Sequence, residues 1–180
     1  WSYRVDGAGT PHSGWPAVPR HLPSHTGNSF GGAMVIPFAA GGNRVVWHRM
    51  NGTEEGDIVF QVVDASGVPN AAWPDSGILL LGGPGTQQIK GLYSDHRGGA
   101  VVWAHLDIPD SSSTRSLRSG DCLMRLTERA SIDSTWGNGG VRVASAPANV
   151  FDSWAIPDGV GGDFVDWSDI RTEPGLNFPE

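Results

Sequence analysis

GGNRVVW (residues 41–47), GGAVVW (residues 98–103) and GGDFVDW (residues 161–167) are three versions of one short segment, and each ends in tryptophan. These tryptophans form a column with spacings of 56 and 64 residues: Trp47, Trp103 and Trp167. A second column has spacings of 58 and 63 residues: Trp15, Trp73 and Trp136. Six of the eight tryptophans therefore recur regularly, which indicates a repeat protein built from one supersecondary unit used several times.

Each unit contains four short runs rich in Val, Ile, Leu and aromatic residues, separated by Gly, Pro, Asp or Asn. Helices should be nearly absent, because Gly or Pro interrupts every window that repeats apolar positions at helical spacing. We therefore predict an all-β fold of four-stranded antiparallel β-propeller blades: two whole blades (33–82 and 88–145) and two complementary half-blades (1–22 and 151–168). The ten strands predicted from residue 33 onward cover residues 33–38, 44–48, 58–63, 77–81, 89–94, 99–105, 122–127, 140–144, 152–156 and 163–167.

The half-blades leave two interpretations open. In the first, residues 1–5 and 18–22, which match third and fourth strands, pair with the terminal first and second strands or with a neighbouring chain, so that no strand edge stays open. In the second, the chain is an excerpt from a longer propeller, which the start at Trp1 in the middle of a strand pattern favours. Propellers carry about four to eight blades, so the additional blades come from the same longer chain or from another subunit.

The turns between strands have their own signature. Asp64 is predicted to accept hydrogen bonds from backbone amides two or three residues further on, while Gly67 supplies a positive φ in the same turn. Asp6 and Gly9 repeat this spacing. Two Gly-rich turns should form the inner hairpins, where glycine avoids a Cβ clash: Asp95–Gly99, with Gly98 and Gly99, and Asp158–Gly162.

Charge and cysteine content exclude several classes of protein. The net charge is -7 and the twelve Lys and Arg residues are scattered, which excludes the basic patch that nucleic-acid binding needs. No apolar stretch approaches the roughly 20 residues of a membrane span, so no membrane insertion is predicted. Cys122 is the single cysteine, which rules out an intrachain disulfide, and we expect a buried, inert thiol.

A catalytic constellation is absent from the sequence. The six histidines form no HExxH motif, so we predict a protein that is not an enzyme. A glycoside hydrolase-like propeller with paired acids is a distant third choice of function. No cofactor is predicted; calcium is the alternative, because the Asp64–Gly67 and Asp158–Asp163 turns offer hard oxygen ligands without the alternating acids of a dedicated loop.

The text D-x-x-G-x-x-x-x-W, followed about 25 residues later by GG-x-x-V-x-W, resembles the Trp- and Gly-rich propeller repeats of large secreted bacterial proteins. The best-matching stretches are Phe60–Gly67 and Ser94–Trp103. Ser131–Trp136 is also similar to the Asp-box of sialidase-type propellers, S-x-D-x-G-x-T-W, but lacks its glycine and one spacer residue. These resemblances imply a propeller scaffold and an extracellular or cell-surface location, and they imply no chemistry.

Two function classes remain. The prediction is a non-catalytic structural and interaction scaffold whose loops, including residues 48–56 and 107–120, bind a protein or surface partner. The alternative is a lectin-like propeller, in which a tryptophan outside the columns stacks on a sugar while Arg and Asp bind its hydroxyl groups. Trp154 lies in FDSWAIPD and could instead fill the core, so its exposure decides between these interpretations. The candidate binding residues are Trp154, Trp1, Asp107, Arg115 and Arg118.

Overall fold

The computed structural model describes residues 5–10, 12–14, 30–38, 41–50, 56–74, 76–109, 117–129, 131–137, 140–145 and 150–169. In this part of the chain the regular structure is ten strands and one short 3₁₀ helix, Ser134–Trp136. The strands are β1 (Phe30–Pro37), β2 (Asn43–Met50), β3 (Gly56–Val63), β4 (Ile78–Leu81), β5 (Thr86–Ser94), β6 (Ala100–Pro109), β7 (Leu117–Leu126), β8 (Val141–Ser145), β9 (Val150–Pro157) and β10 (Asp163–Asp169). The prediction of an all-β fold is confirmed.

The strands form consecutive antiparallel meanders. Sheet 1 consists of β1 to β4, sheet 2 of β5 to β8, and the terminal hairpin of β9 and β10. A single parallel bridge between Gly56 and Thr86 joins sheet 1 to sheet 2. Each of the ten strands predicted from residue 33 onward has a counterpart, and the described residues close into no barrel or ring.

The sequence predicts a loop over residues 107–120, and this prediction is wrong at both ends of the range. Strand β6 continues through Asp107 to Pro109, and β7 already begins at Leu117. Asp107 pairs with Ser119, and Ile108 pairs with Arg118, because the polar run after Leu117 extends the ladder of β6 instead of leaving it. The loop predicted over residues 48–56 is also shorter, since β2 extends to Met50 and β3 begins at Gly56.

Three inner turns give a common reference for the repeats. The backbone N–H groups of Phe38, Asp95 and Asp158 each donate to the carbonyl oxygen four residues further on, at 3.0, 3.3 and 3.0 Å. Gly42, Gly99 and Gly162 are therefore equivalent positions. A Cβ on Gly99 would collide with the carbonyl oxygen of Leu126 and the carboxylate of Asp95, which confirms the predicted reason for glycine there.

Counting from these glycines defines two faces for every sheet. Face A carries the second, fourth and sixth residues of the following strand, and face B carries the first, third and fifth, because side chains alternate along a strand. On the neighbouring strands, each face includes the residues that lie across the ladder from these positions. Face A therefore includes Val46 in sheet 1, Trp103 in sheet 2 and Asp166 in the hairpin.

The sheets stack so that face A of one contacts face B of the next. In the main core, Val46 and Phe60 from face A of sheet 1 pack with Val102 and Ala104 from face B of sheet 2. Face A of sheet 2 in turn packs on face B of the hairpin, in a cluster of Val101, Trp103, Leu123 and Ala155 with Val165 beside it. Both contacts bury apolar area, which is the main favourable contribution to the stability of such a stack.

A buried arginine strengthens the contact between the two sheets. Arg44 projects from face A of sheet 1, and its Nη1 donates a hydrogen bond of 2.7 Å to the carbonyl oxygen of Gly99. Its Nη2 donates to the carbonyl oxygens of Gly98 and Glu128, and its guanidinium lies 4.3 Å from the centre of the Phe38 ring. The inner turn of sheet 2 is therefore held by the sheet before it.

The assignment of faces shows that one of the two predicted tryptophan columns, the column of Trp47, Trp103 and Trp167, does not consist of equivalent positions. Trp47 lies five residues after Gly42, whereas Trp103 lies only four residues after Gly99, so the two side chains project from opposite faces. Trp167 lies five residues after Gly162, in β10. The second column is consistent where it is described: Trp73 and Trp136 are both half-buried, each against face A of its own sheet. Trp15 lies outside the described residues.

The predicted Asp–Gly turns are confirmed with a small change of partner. Asp64 Oδ1 accepts from the amides of Ser66 and Val68, two and four residues further on, and Gly67 has a φ of 76°. Cys122 is buried, as predicted. The strands predicted at residues 1–5 and 18–22 lie, except for Val5, outside the described residues. None of the described helical residues form a segment long and apolar enough to cross a membrane.

Candidate functional site

The free face of the terminal hairpin is the candidate functional surface. Trp154, Ile156 and Phe164 project from face A and are 69%, 60% and 67% exposed. Phe164 pairs across the ladder with Ile156, and Asp166 pairs with Trp154. Large apolar side chains at such exposure on one sheet face are typical of a surface that contacts another molecule.

The hairpin is held in place from its other face. Ala155 is buried against sheet 2, and Val165 packs beside it. The Asp158–Gly162 turn closes the hairpin, because Asp158 Oδ1 accepts from the amides of Val160 and Gly162 at 2.7 and 2.9 Å. The result is a two-stranded ribbon with one anchored face and one open face.

The sequence predicted only part of this surface. Trp154 is exposed and does not fill the core of the described residues, whereas Trp47 and Trp103 are buried at 6% and 7% exposure. Asp107 lies in β6 and the backbone of Arg118 lies in β7, neither of them on the hairpin, and Trp1 and Arg115 lie outside the described residues. Ile156 and Phe164 were not singled out, although their alternation with Ala155 and Val165 marks a strand with one open face.

A histidine–carboxylate cluster on face A of sheet 2 was also missed. His105 Nδ1 lies 2.6 Å from Asp121 Oδ1, and the Trp103 indole donates to Asp121 Oδ2 at 3.3 Å. Asp107 Oδ1 lies 3.4 Å from the other ring nitrogen of His105. The hydrogen bond to Asp121 raises the pKa of His105, although burial opposes this change. The cluster favours the imidazolium form, since carboxylates face both ring nitrogens.

His48 is the counterpart of His105, since each lies six residues after its turn glycine. The signal was present in the sequence as this shared spacing. His48 is buried, and this burial lowers its pKa. The two equivalent histidines therefore differ, since His105 favours the protonated form and His48 favours the neutral form. The difference follows from Asp121, which occupies the position that Ile58 has in sheet 1.

A second polar layer lies at the turn end of sheet 2. Asp95 Oδ2 accepts from Nε and Nη2 of Arg125 at 3.0 and 2.8 Å. Asp163, on face B of the hairpin, lies near Tyr93, and burial raises the pKa of both groups. The geometry of the Tyr93 hydroxyl and the Asp163 carboxylate falls short of a well-formed hydrogen bond. This layer combines ion pairing and desolvation between two packed elements.

In each turn considered for calcium, one carboxylate oxygen of the first aspartate is used within the turn. Oδ1 of Asp64 and Oδ1 of Asp158 each accept two backbone amides. Within the described residues no group of three or more His, Cys, Asp or Glu side chains is arranged to hold a metal ion. Comparisons with protein-family models, with curated proteins and with solved structures found no match for this chain.

Proposed function

We propose that this chain is a non-catalytic structural and interaction scaffold of the β-propeller type, in which the stacked sheets are blades. The repeated contact of face A with face B supports this proposal, because the same contact occurs from sheet 1 to sheet 2 and from sheet 2 to the hairpin. A contact repeated in one direction generates a progression of sheets rather than a closed two-layer sandwich. The resemblance to secreted propeller repeats adds an extracellular or cell-surface location to the proposal.

The single observation that carries the scaffold role is the open apolar face of the hairpin. Trp154, Ile156 and Phe164 occupy the face that is covered in sheets 1 and 2. Aromatic side chains are enriched at the centres of protein interfaces, where each of them buries a large area. We assign this face to a protein partner.

The test uses a photo-crosslinking amino acid at position 154. Adducts with a protein partner should form from this position and disappear when Phe164→Asp is added, because a buried charge opposes docking. The matched control places the crosslinker at Val68, an exposed apolar residue away from the hairpin. Equal adducts from both positions, or adducts that survive Phe164→Asp, would remove the hairpin face as the contact surface.

The second candidate function is carbohydrate binding, which the exposure of the Trp154 indole beside Asp166 favours. An indole stacks on the apolar face of a sugar ring while a carboxylate accepts from its hydroxyl groups. A glycan array with the native chain and with Trp154→Ala tests this candidate. Binding that the substitution abolishes supports a sugar site, and an array without binding eliminates it.

A further inference from the structure

Asp166 places a carboxylate at a position of face A that is apolar in both preceding sheets. It lies four residues after its turn glycine, as do Val46 in sheet 1 and Trp103 in sheet 2. Val46 is fully buried and Trp103 is 7% exposed, whereas Asp166 is exposed. Any molecule that covers face A of the hairpin as the sheets cover one another therefore also covers this carboxylate.

The surroundings of Asp166 are aromatic. Trp154 lies directly opposite Asp166 across the ladder, and Phe164 lies two residues before it on the same face of β10. Both aromatic side chains are exposed. No hydrogen bond or ion pair reaches the carboxylate from the described residues. The carboxylate can therefore accept hydrogen bonds from an incoming group that also contacts an aromatic ring.

The two aspartates that are buried among the described residues both have a basic side chain as a partner. Asp121, on face A of sheet 2, lies 2.6 Å from Nδ1 of His105, and Asp95 accepts from Arg125 at 2.8 Å. Such partners are needed because a buried carboxylate without a compensating cation or hydrogen bonds is strongly destabilising. By the same reasoning, a molecule that covers Asp166 has to supply a basic group.

Arginine is the basic side chain that fits these surroundings best. Within the chain, Arg44 already joins two sheets: it donates to the carbonyl oxygen of Gly99 at 2.7 Å, and its guanidinium lies 4.3 Å from the centre of the Phe38 ring. A guanidinium forms two parallel hydrogen bonds with a carboxylate and also stacks on a ring, whereas an ammonium group acts as a point charge. Asp166 and Trp154 offer both kinds of contact.

We propose that face A of the hairpin binds a protein segment that inserts an arginine side chain at Asp166, with its guanidinium stacked on the Trp154 indole. The inference rests on the proposed scaffold function and names the chemistry of the partner. Ile156 and Phe164 provide apolar contacts around the ion pair and exclude water from it. The net charge of -7 favours the approach of a basic partner.

NMR titration of the native chain with three synthetic peptides tests the arginine. The peptides are acetyl-Thr-Val-Xaa-Val-Thr-amide, where Xaa is arginine, lysine or citrulline, which has the shape of arginine without its charge. The observed signal is the indole N–H of Trp154, identified by its loss in Trp154→Phe. At millimolar concentration the arginine peptide should shift this signal. The citrulline peptide should bind about tenfold more weakly, because its hydrogen bonds lack the charge, and the lysine peptide should fall between them.

A pair of aspartate variants locates the contact. Asp166→Asn keeps the size of the side chain but removes its charge, so the arginine peptide should then bind about tenfold more weakly, like the citrulline peptide. The matched control is Asp64→Asn, at an exposed aspartate in the turn after β3. The asparagine oxygen can still accept the two turn hydrogen bonds, so this variant should bind the arginine peptide like the native chain.

Each outcome decides the proposal. Equal affinities for the arginine and citrulline peptides, or a preference for arginine that survives Asp166→Asn, overturn the ion pair. The absence of a shift with any peptide overturns the arginine-bearing segment as the occupant. A glycan that shifts the Trp154 signal when the peptides do not, and loses this effect in Asp166→Asn, assigns the face to carbohydrate instead. Failure of the scaffold role is seen separately, because adducts from position 154 report a protein contact whatever its charge.

Discussion

Replacing Asp95 with alanine should destabilise the fold far more than the same change at Asp64, although both side chains organise the same kind of turn. Each Oδ1 accepts two backbone amides: 2.8 and 2.6 Å at Asp95, and 2.8 and 2.8 Å at Asp64. Only Asp95 is buried, at 2% exposure, and only Asp95 has Oδ2 in a two-donor contact with Arg125. The pair of variants therefore separates the turn from the ion pair.

The magnitudes follow from the two environments. At Asp64, water replaces the lost carboxylate, so Asp64→Ala should lower the free energy of unfolding by about 1 kcal/mol. Asp95→Ala loses the same turn bonds and also removes the buried partner of Arg125, whose guanidinium keeps only the 3.6 Å contact of Nη1 with Asp133 Oδ2; breaking a buried ion pair typically costs about 3 kcal/mol or more. We expect a total of about 4 kcal/mol for Asp95→Ala.

Urea unfolding followed by tryptophan fluorescence measures both variants, and a double-mutant cycle with Arg125→Met isolates the coupling between Asp95 and Arg125. Burial raises the pKa of Asp95, but its hydrogen bonds from Arg97, Arg125 and Gly99 outweigh burial, and the pKa is lowered. The stability from this group is thus present above the unfolded pKa of about 3.9 and lost as the pH falls through the folded value. Equal losses for Asp95→Ala and Asp64→Ala would refute the reasoning.

Three further predictions follow from single sites. Because the pKa of His105 is raised, its contribution to stability is full below the unfolded pKa of about 6.5 and is lost as the pH rises through the folded value. In urea unfolding between pH 6 and 9, Asp121→Asn should remove this pH-dependent loss of stability. An unchanged dependence of stability on pH would contradict the pairing of His105 with Asp121. Cys122 should react with iodoacetamide only after denaturation, because its side chain is buried; rapid labelling of the folded chain would show that it is accessible. Gly99→Ala should lower the free energy of unfolding by about 1–3 kcal/mol, because the added methyl group collides with the backbone, whereas Gly7→Ala, which has open space, should be neutral in thermal unfolding. Similar melting temperatures for the two variants would count against the close approach of the backbone to Gly99.

Strand positions and turns were predictable because both depend on local chemistry. The alternation of Val and Ile with polar residues, and the Asp-x-x-Gly spacing of the turn at Asp64, act over a few residues. The extension of β7 back to Leu117 was not predictable, because the polar run before Gly120 gains strand structure only by pairing with β6. The His105–Asp121 pair was missed for the same reason: the two residues are sixteen apart and meet only through the register of β6 and β7.

The tryptophans show why a repeat read from one residue type can hide the packing. Trp47 and Trp103 end similar segments, yet one residue fewer separates Trp103 from its turn glycine, and a shift of one residue in a strand exchanges the two faces. Counting from the hydrogen-bonded turns instead puts Val46 and Trp103 on face A, and then each sheet contacts the next in the same sense. This register matters for function. It places Trp154, Ile156 and Phe164 on face A, and face A is covered in both preceding sheets but exposed in the hairpin. An open surface equivalent to two buried ones is the observation from which the proposed scaffold function is argued.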